Sequence, residues 1–242
     1  MTAHKHRTYM GFLTPLQLTM TAINAALYPA VGLVTYFGIF APPPLGVVRF
    51  WPAVIVPGVF AALFGPWVGG IGAAIGIFAS DMVIHGNAFL SVTVGVPSNF
   101  IGFYLLGYIA RKQLSLKKLI PVFAIGALIL IAGVYSIIAF PESHTIFVTI
   151  LSEIGSIVLF LGAVGGSYIL IIIAAAKWPE WRSYGVGSVI GLGVGSAIIG
   201  LGVTAYLGSP IYFILLWFIW TFTTEIPFLL LLGPPILKAC YR

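Results

Sequence analysis

The sequence predicts an all-α integral membrane protein, a bundle of about eight transmembrane helices with both termini in the cytoplasm. Hydrophobic residues make up 60% of the 242 residues, and only 7% are charged. An average soluble domain has about a quarter of its residues charged. The mean hydropathy is +1.13, and the apolar residues are collected in runs long enough to cross a bilayer core of about 30 Å. This composition excludes a water-soluble globule and a disordered chain.

Eight apolar runs are the candidate helices. They lie approximately at residues 14–40, 50–64, 67–84, 91–110, 119–140, 145–176, 184–207 and 211–237. The second run is short for a full crossing, and only Gly65 and Pro66 separate it from the third, so these two are expected to form a hairpin or two short tilted helices. The stretch from Ser183 to Thr224 contains no charged residue and is twice the length of a span, and the turn signal at Gly208–Pro210 divides it into two predicted helices.

The basic residues predict the orientation of these helices. If residues 1–13 form a cytoplasmic basic N-terminus and the eight runs alternate, every Lys and Arg except Arg49 lies on the cytoplasmic side. The first run is too long for the apolar part of a signal peptide, so it is expected to be retained as a span. No shift in composition marks a second domain. Residues 1–242 are therefore predicted to form a single multi-pass domain in the cell membrane.

Ionisable residues inside spans usually face a protein interior or a watery cavity, so they are candidate functional residues. In the expected topology, several polar residues and one tryptophan share a level near the outer ends of the helices. These candidate substrate-binding residues are Arg49, Trp51, Asp81, His85, Asn87, Asn99 and Glu153. Mostly apolar surroundings with a few convergent polar groups are typical of a small-molecule pocket. The sequence therefore predicts an outward-facing binding site at this level.

Structural roles for the same residues stay open at this point. Asp81 and His85 are four residues apart on one helical face, so they can pair with each other or with Arg49. Glu225 lies in the middle of the last run, just before Pro227. One interpretation is a kinked helix in which threonine hydroxyls satisfy freed carbonyls. The other is a carboxyl group that binds a coupling proton, a role that Glu153 could also take.

The sequence contains no constellation of catalytic residues, and we expect no enzyme activity and no cofactor. There is no metalloprotease, phosphate-loop or nucleophile-elbow motif. His4 and His6 lie on a basic tail and are expected to be solvated, and no metal site is predicted. The net charge of +6 is distributed in small groups between apolar runs, so it indicates membrane topology rather than nucleic-acid binding.

Small residues recur at helical spacing in two of the runs. Ala22, Ala26 and Ala30 form a smooth stripe on the first helix, either for packing within the chain or for docking a partner helix. Gly187, Gly191 and Gly195 have the same spacing in the seventh run. Because glycine lets two helix backbones come close, we expect another helix to pack against this second stripe.

The stretch from Arg49 to Ala53 and on to Pro57, then Leu63–Pro66, Gly69–Gly70 and Asp81 resembles a known family. It is similar to the second and third helices of the substrate-binding S components of energy-coupling factor (ECF) vitamin transporters. The alanine stripe resembles the AxxxA motif with which S components dock on the transmembrane T component. The resemblance covers roughly residues 15–110.

This resemblance implies a membrane-embedded subunit that captures a small vitamin-like metabolite from outside, for import driven by a T component and separate ATPase subunits. S components typically have six helices. The resemblance therefore implies a six-helix core at 14–176 and an additional helical pair at 184–237. Two other functions stay open: a stand-alone secondary transporter coupled to protons through Glu225 or Glu153, and a structural subunit of a larger membrane complex.

Overall fold

The chain is helical throughout the part that the computed structural model describes. The described residues are 13–38, 51–112, 114, 117, 120–139, 165–166, 169–170, 172–173, 181–211 and 213–240. Among them, five helices are long and apolar enough to cross a membrane. Large apolar side chains such as Leu18, Val34 and Ile75 are exposed on the outer faces of these helices, and a bilayer would cover such a surface. The helices and their apolar outer faces indicate a membrane protein.

The helices are numbered here in chain order. They are α1 (Pro15–Gly38), α2 (Ile55–Phe64, preceded by a 3₁₀ turn at Pro52–Val54), α3 (Pro66–Ile84), α4 (Ala88–Ala110), α5 (Ile120–Ala139), α6 (Arg182–Leu207) and α7 (Phe213–Cys240). Each coincides with a predicted run; the largest difference in bounds is at the start of α2, five residues after the predicted start at 50, and the start of α4 and the end of α7 differ by three residues. The run at 145–176 lies mostly outside the described residues, so the count of eight spans stays a prediction.

Glycine and proline set the breaks between neighbouring helices. Pro66 occupies the first turn of α3, where its missing N–H leaves no helical hydrogen bond unmade. Gly65, just before it, has a φ of 116°, in the left-handed region that a side chain disfavours. Gly208 ends α6 in the same region, with a φ of 62°. The breaks expected at Gly65–Pro66 and at Gly208–Pro210 are therefore confirmed.

Three neighbouring pairs, α3/α4, α4/α6 and α6/α7, run antiparallel. In the last pair, Gly200 in the second half of α6 lies against Ile214 at the start of α7, and Gly185 at the start of α6 lies near Leu230. In contrast, α1 and α3 run parallel. The Asn24 side chain donates a 3.0 Å hydrogen bond to the Val68 carbonyl in the first turn of α3, and Tyr28 lies further along α1 against Gly76.

The two ends of this bundle differ in charge. At one end, Gln17 of α1 donates a 3.0 Å hydrogen bond to the Phe64 carbonyl of α2, and the Ser183 hydroxyl donates to the Lys112 carbonyl. We call this the basic end. Its cationic residues are Arg111, Lys112, Arg182 and Lys238. The opposite end, where α3 ends and α4 begins, carries Asp81 and is called the polar end. Basic residues collected at one end are the arrangement that the orientation prediction requires.

The glycine stripe of α6 packs against α4, as its spacing predicts. Gly187, Gly191 and Gly195 meet Leu106, Gly102 and Ser98 in turn. A β-carbon on Gly187 would lie 2.7 Å from the Leu106 carbonyl oxygen, and one on Gly195 would lie 3.1 Å from the Ser98 carbonyl oxygen. A β-carbon on Gly191 would overlap the Gly102 carbonyl oxygen. The two backbones are therefore in contact along the stripe.

The C-terminal pair α6/α7 belongs to the same core as the N-terminal helices. One buried cluster joins Tyr28 of α1, Trp51, Phe103 of α4, Leu192 of α6 and Ile226 of α7. α5 packs beside α7. The C-terminal pair therefore shares a buried cluster with the N-terminal helices, and the division into a core at 14–176 and an added pair at 184–237 stays a prediction. Six of the described helices, α1–α4 with α6 and α7, pack around one interior, with α6 against α4 and α7 against both α6 and α2.

Candidate functional site

A cavity of about 90 Å³ lies inside the bundle, between α1, α3, α4, α6 and α7. Its lining is mostly apolar, with a few polar side chains from different helices. The lining residues are Tyr28, Trp51, Ile77, Asp81, Leu90, Val94, Gly95, Asn99, Ile199, Val203, Thr221 and Glu225. Because all five helices contribute, the cavity exists only in the assembled bundle. Such a lining can bind a small molecule with an apolar body and polar groups.

Asp81 is held at the polar end of the cavity by contacts from two helices. The Ser91 hydroxyl of α4 donates a 2.6 Å hydrogen bond to Asp81 Oδ2, and His85 Nε2 lies 3.4 Å from Asp81 Oδ1. Asp81 is only 4% exposed. The pairing of Asp81 with His85, left open above as a structural role, is therefore present. Asp81 also lines the cavity, so both interpretations apply to this carboxyl group.

The segment of α4 beside Asp81 is wound as a five-residue π-helix, Ser91–Gly95. Pro97 follows it and has no N–H to donate to the carbonyl of Thr93, so the regular α-helical pattern is interrupted at this place. Short π-helical segments are frequent at functional sites. A β-carbon on Gly95 would lie 2.8 Å from Asp81 Oδ2. Glycine at this position therefore allows the backbone of α4 to approach the carboxyl group.

Aromatic and amide groups form the wall of the cavity near α1. The Tyr28 hydroxyl donates a 2.8 Å hydrogen bond to Asn99 Oδ1, and Asn99 Nδ2 donates a 3.0 Å hydrogen bond to the Gly95 carbonyl. The Tyr28 ring also meets Trp51 edge-to-face, with centroids 6.2 Å apart. Tyr28 and Trp51 are both buried. These contacts fix two rings and one amide in a single orientation on the cavity surface.

Glu225 of α7 lies deeper in the bundle and is 7% exposed. α7 continues through Pro227, and the hydroxyls of Thr221 and Thr224 donate to the carbonyls of residues 217 and 220 in the same helix. These hydroxyls bond within their own helix, but the carbonyl that Pro227 leaves without an N–H donor is that of Thr223. The kinked helix in which threonine hydroxyls satisfy freed carbonyls therefore stays a prediction. Glu225 itself lines the cavity together with Asp81.

A second, smaller space adjoins the cavity and is called here the inner chamber. It holds about 20 Å³ and lies where α4 and α6 pack through their glycines, beside α7. Asn99, Ile199, Thr221 and Glu225 line both spaces. The other residues of the inner chamber are Ser98, Gly102, Phe103, Gly191, Leu192, Gly195 and Ser196. The two spaces together reach from Asp81 near the polar end to Ser196 near the middle of α6.

The structure brings Trp51, Asp81 and Asn99 of the predicted set together on the cavity surface. His85 contacts Asp81 but does not itself line the cavity. Asn87 has contacts outside the cavity lining: its Oδ1 accepts from the Leu90 N–H as the helix cap of α4, and its Nδ2 donates to the Tyr206 hydroxyl at 2.5 Å. The remaining two predicted residues, Arg49 and Glu153, lie outside the described residues.

Four further polar residues contribute to the site without having been predicted from the sequence: Tyr28, Ser91, Thr221 and Ser196. Glu225 was predicted in other roles. Glu225 carried a usable signal, because a carboxyl group in the middle of a span requires a polar environment. Tyr28 and the two serines carried no signal of this kind in the sequence. Hydroxyl groups are common in transmembrane helices, and they usually bond to the backbone of their own helix.

The alanine stripe of α1 lies on the outer face of the bundle. Ala22, Ala26 and Ala30 are all exposed, while Asn24 and Tyr28 on the opposite face are buried. The stripe therefore makes no packing contact with the described part of the chain that would bury it. This leaves the surface accessible to lipid or to a partner helix.

In the described part of the chain, no group of three or more His, Cys, Asp or Glu side chains is placed to hold a metal ion. Comparisons of the chain with protein-family models, with curated proteins and with solved structures found no match.

Proposed function

We propose that this chain is a membrane-embedded binding protein that captures a small vitamin-like metabolite, as the substrate-binding subunit of an importer energised by other subunits. The observation that carries the proposal is the cavity. Two carboxyl groups, an amide and two aromatic rings converge there from helices far apart in sequence. Buried polar groups are costly inside a membrane bundle, and a bound polar ligand would offset that cost.

The position of the cavity is consistent with capture from outside. Asp81 lies about one turn from the end of α3, at the end of the bundle opposite to the cationic residues. If the basic end is cytoplasmic, a metabolite entering near Asp81 comes from the external side. The exposed alanine stripe on α1 supplies a surface for a T-component-like partner in the same proposal.

Proton-coupled secondary transport is the second candidate, and the burial of Glu225 in the cavity favours it. The two candidates differ in what the isolated chain can do. A binding subunit retains its metabolite tightly in detergent without ATP or an ion gradient. A proton-coupled carrier accumulates the metabolite in proteoliposomes when a pH gradient is imposed.

The experiment is to incubate detergent-purified chain with a small-molecule extract of the expressing cells, wash it, and identify retained compounds by mass spectrometry. The identified compound is then titrated back by calorimetry and offered to proteoliposomes with and without a pH gradient. Submicromolar binding without gradient-driven accumulation supports the binding subunit. Accumulation driven by the gradient supports the carrier, and the absence of any retained compound contradicts capture.

A further inference from the structure

Ser196 of α6 has a buried hydroxyl group that makes no hydrogen bond within the described structure. The residue is 0% exposed, and its Oγ has no partner. Most of the other buried serine and threonine hydroxyls donate to a carbonyl one turn earlier in their own helix. Examples are Ser188, which bonds to Tyr184 at 2.9 Å, and Ser80, which bonds to Gly76 at 2.9 Å. Ser196 is therefore an exception on a helix where the usual partner is within reach.

The other serine or threonine hydroxyl of this kind among the described helices is that of Thr204, which lines neither the cavity nor the inner chamber. Ser196, in contrast, lines the inner chamber. A buried hydroxyl without a partner lowers stability, so a partner in the chamber would stabilise the protein. The chamber has room for one such group, because about 10–15 Å³ is enough for a single water-sized occupant.

We propose that the inner chamber is a subsite for a terminal hydroxyl or amino group of the captured metabolite, and that Ser196 determines specificity for that group. This inference rests on the proposed function and names the ligand chemistry at the deep end of the same site. Gly95, which lies against Asp81, and Ser98, which lies against Gly195, are three residues apart on α4, about 5 Å along the helix. Ser196 is therefore about one turn deeper than Asp81, and the metabolite is small, with one end near Asp81 and the other at Ser196.

The groups around the chamber explain why a hydroxyl or amino group fits best. A serine hydroxyl both donates and accepts, and a carboxylate such as Glu225 accepts at about four positions. A hydroxyl group can accept from Ser196 and donate to Glu225, and a protonated amino group can donate to both the Ser196 oxygen and Glu225, whereas a carbonyl oxygen can only accept. Large apolar side chains, those of Phe103, Leu192 and Ile199, also line the chamber, so an apolar part of the metabolite can lie next to this group.

Glycines leave the space that the terminal group occupies. Gly102, Gly191 and Gly195 line the chamber, and the close approach of α4 and α6 at these residues leaves no room for larger side chains. The chamber is therefore narrow and is bounded by backbone, which cannot move aside as a long side chain can. A narrow, rigid chamber selects by size, so a single small group enters and a branched end does not.

The test uses Ser196→Ala, with Ser188→Ala as the matched control on the same helix. The probe is the small-molecule extract of the expressing cells, and the readout is the compound retained by each purified full-length protein, identified by mass spectrometry and titrated by calorimetry. We expect Ser196→Ala to raise the dissociation constant about two- to tenfold, the effect of one lost hydrogen bond, and Ser188→Ala to leave it unchanged. Without the compound, Ser196→Ala should melt at or above the wild-type temperature, because the mutation removes an unpartnered hydroxyl.

The possible outcomes of this experiment test three separate points: the subsite, the ligand class and the proposed function. If wild type retains a compound and Ser196→Ala binds it with wild-type affinity, the chamber holds only water and the subsite is wrong, while capture stands. If the retained compound has neither a hydroxyl nor an amino group, the ligand class is wrong. If wild type retains no compound, the proposed function fails and the subsite fails with it.

A labelling experiment tests access to the chamber without any ligand. In a Cys240→Ser background, Ser196→Cys should react with methyl methanethiosulfonate, which leaves only a methylthio group on the cysteine, and the retained compound should slow the reaction. Ser188→Cys, which lines neither space, should react at least about tenfold more slowly. Equal rates at the two positions, measured as the mass increase of the intact protein, would overturn the connection between the chamber and the cavity.

Discussion

Ser91 of α4 donates a 2.6 Å hydrogen bond to Asp81 of α3, and this bond ties the π-helical segment of α4 to the carboxyl group at the polar end of the cavity. Asp81 also contacts His85 at 3.4 Å. The loop between α3 and α4 is therefore closed by side-chain contacts on both sides of the turn. These contacts hold the mouth of the site in one arrangement before any ligand binds.

Ser91→Ala should destabilise the free protein, because it removes a donor from a buried carboxyl group. Hydrogen bonds to charged groups contribute about 1.5–3 kcal/mol, and we expect a loss of that order in the free energy of unfolding. Thr93→Ala is the matched control, since the Thr93 hydroxyl bonds only to the Phe89 carbonyl in an exposed part of the same segment. Tryptophan fluorescence during denaturation in detergent measures both variants, and equal stability would show that the Asp81 contact is dispensable.

Asp81→Asn should weaken retention of the metabolite by at least about tenfold, or roughly 1.4 kcal/mol, with near-normal expression. The substitution keeps the shape of the side chain and removes the negative charge, which the ligand and His85 both meet at the polar end. Asn87→Ala is the comparison variant at the same level of the bundle, because Asn87 does not line the cavity. We expect it to affect the start of α4 but not affinity. Calorimetry with wild-type affinity for Asp81→Asn would return Asp81 to a purely structural role.

Gly191→Ala should strongly destabilise the bundle. A β-carbon at this position would overlap the Gly102 carbonyl oxygen. Because this oxygen belongs to the backbone of α4 and cannot move aside by itself, α4 and α6 must separate. Overpacking of this kind costs about 1–3 kcal/mol. Gly193→Ala is the control on the same helix, where the nearest group is the Phe222 ring at 4.0 Å. Its effect should be neutral or slightly stabilising, because alanine favours helix by about 1 kcal/mol over glycine. Equal melting temperatures for the two variants would contradict the contact.

The glycine spacing predicted that a helix would pack closely on α6, but not that the helix would be α4. Hydropathy likewise predicted where the helices lie along the chain, but not which helices are neighbours. The length of an apolar run depends only on the local sequence and on the thickness of the bilayer that a helix must cross. Asp81 and Asn99 could be placed in one layer from their distance to the helix ends. Glu225 could not be assigned to the same cavity from the sequence. Whether its side chain faces the same space as Asp81 depends on the rotation of α7 about its own axis relative to α3. That rotation is set by packing between helices far apart in sequence.

The orientation of the bundle predicts which cysteines react from outside. The native Cys240 is exposed and lies at the basic end, in the last turn of α7. In intact cells, a membrane-impermeant maleimide should leave Cys240 unlabelled and should label Ser209→Cys in a Cys240→Ser background, since Ser209 follows the opposite end of α6. Permeabilised cells provide the control in which both positions react. Labelling of Cys240 in intact cells would reverse the orientation and place the polar end in the cytoplasm.

The alanine stripe of α1 predicts a variant that separates binding from uptake. Ala26 is exposed, and it lies on the face opposite to Tyr28, which lines the cavity. Helices in a bilayer associate through close packing rather than through a hydrophobic driving force, so a bulky side chain on the stripe should hold a partner helix away. Ala26→Trp should therefore abolish uptake in cells and copurification of the partner subunit, yet leave metabolite affinity of the isolated chain within about twofold.

Ile75→Trp is the control for this variant, because Ile75 is 52% exposed on α3 and lies outside the stripe. It places the same bulk on another outer face, and uptake should continue. Loss of uptake in both variants would show that tryptophan on any outer face impairs the protein, and the stripe would lose its special role. Loss of metabolite binding by the isolated Ala26→Trp chain would show that the stripe supports the fold of the site. In that case α1 would support neither the proposed docking surface nor the resemblance to the S components.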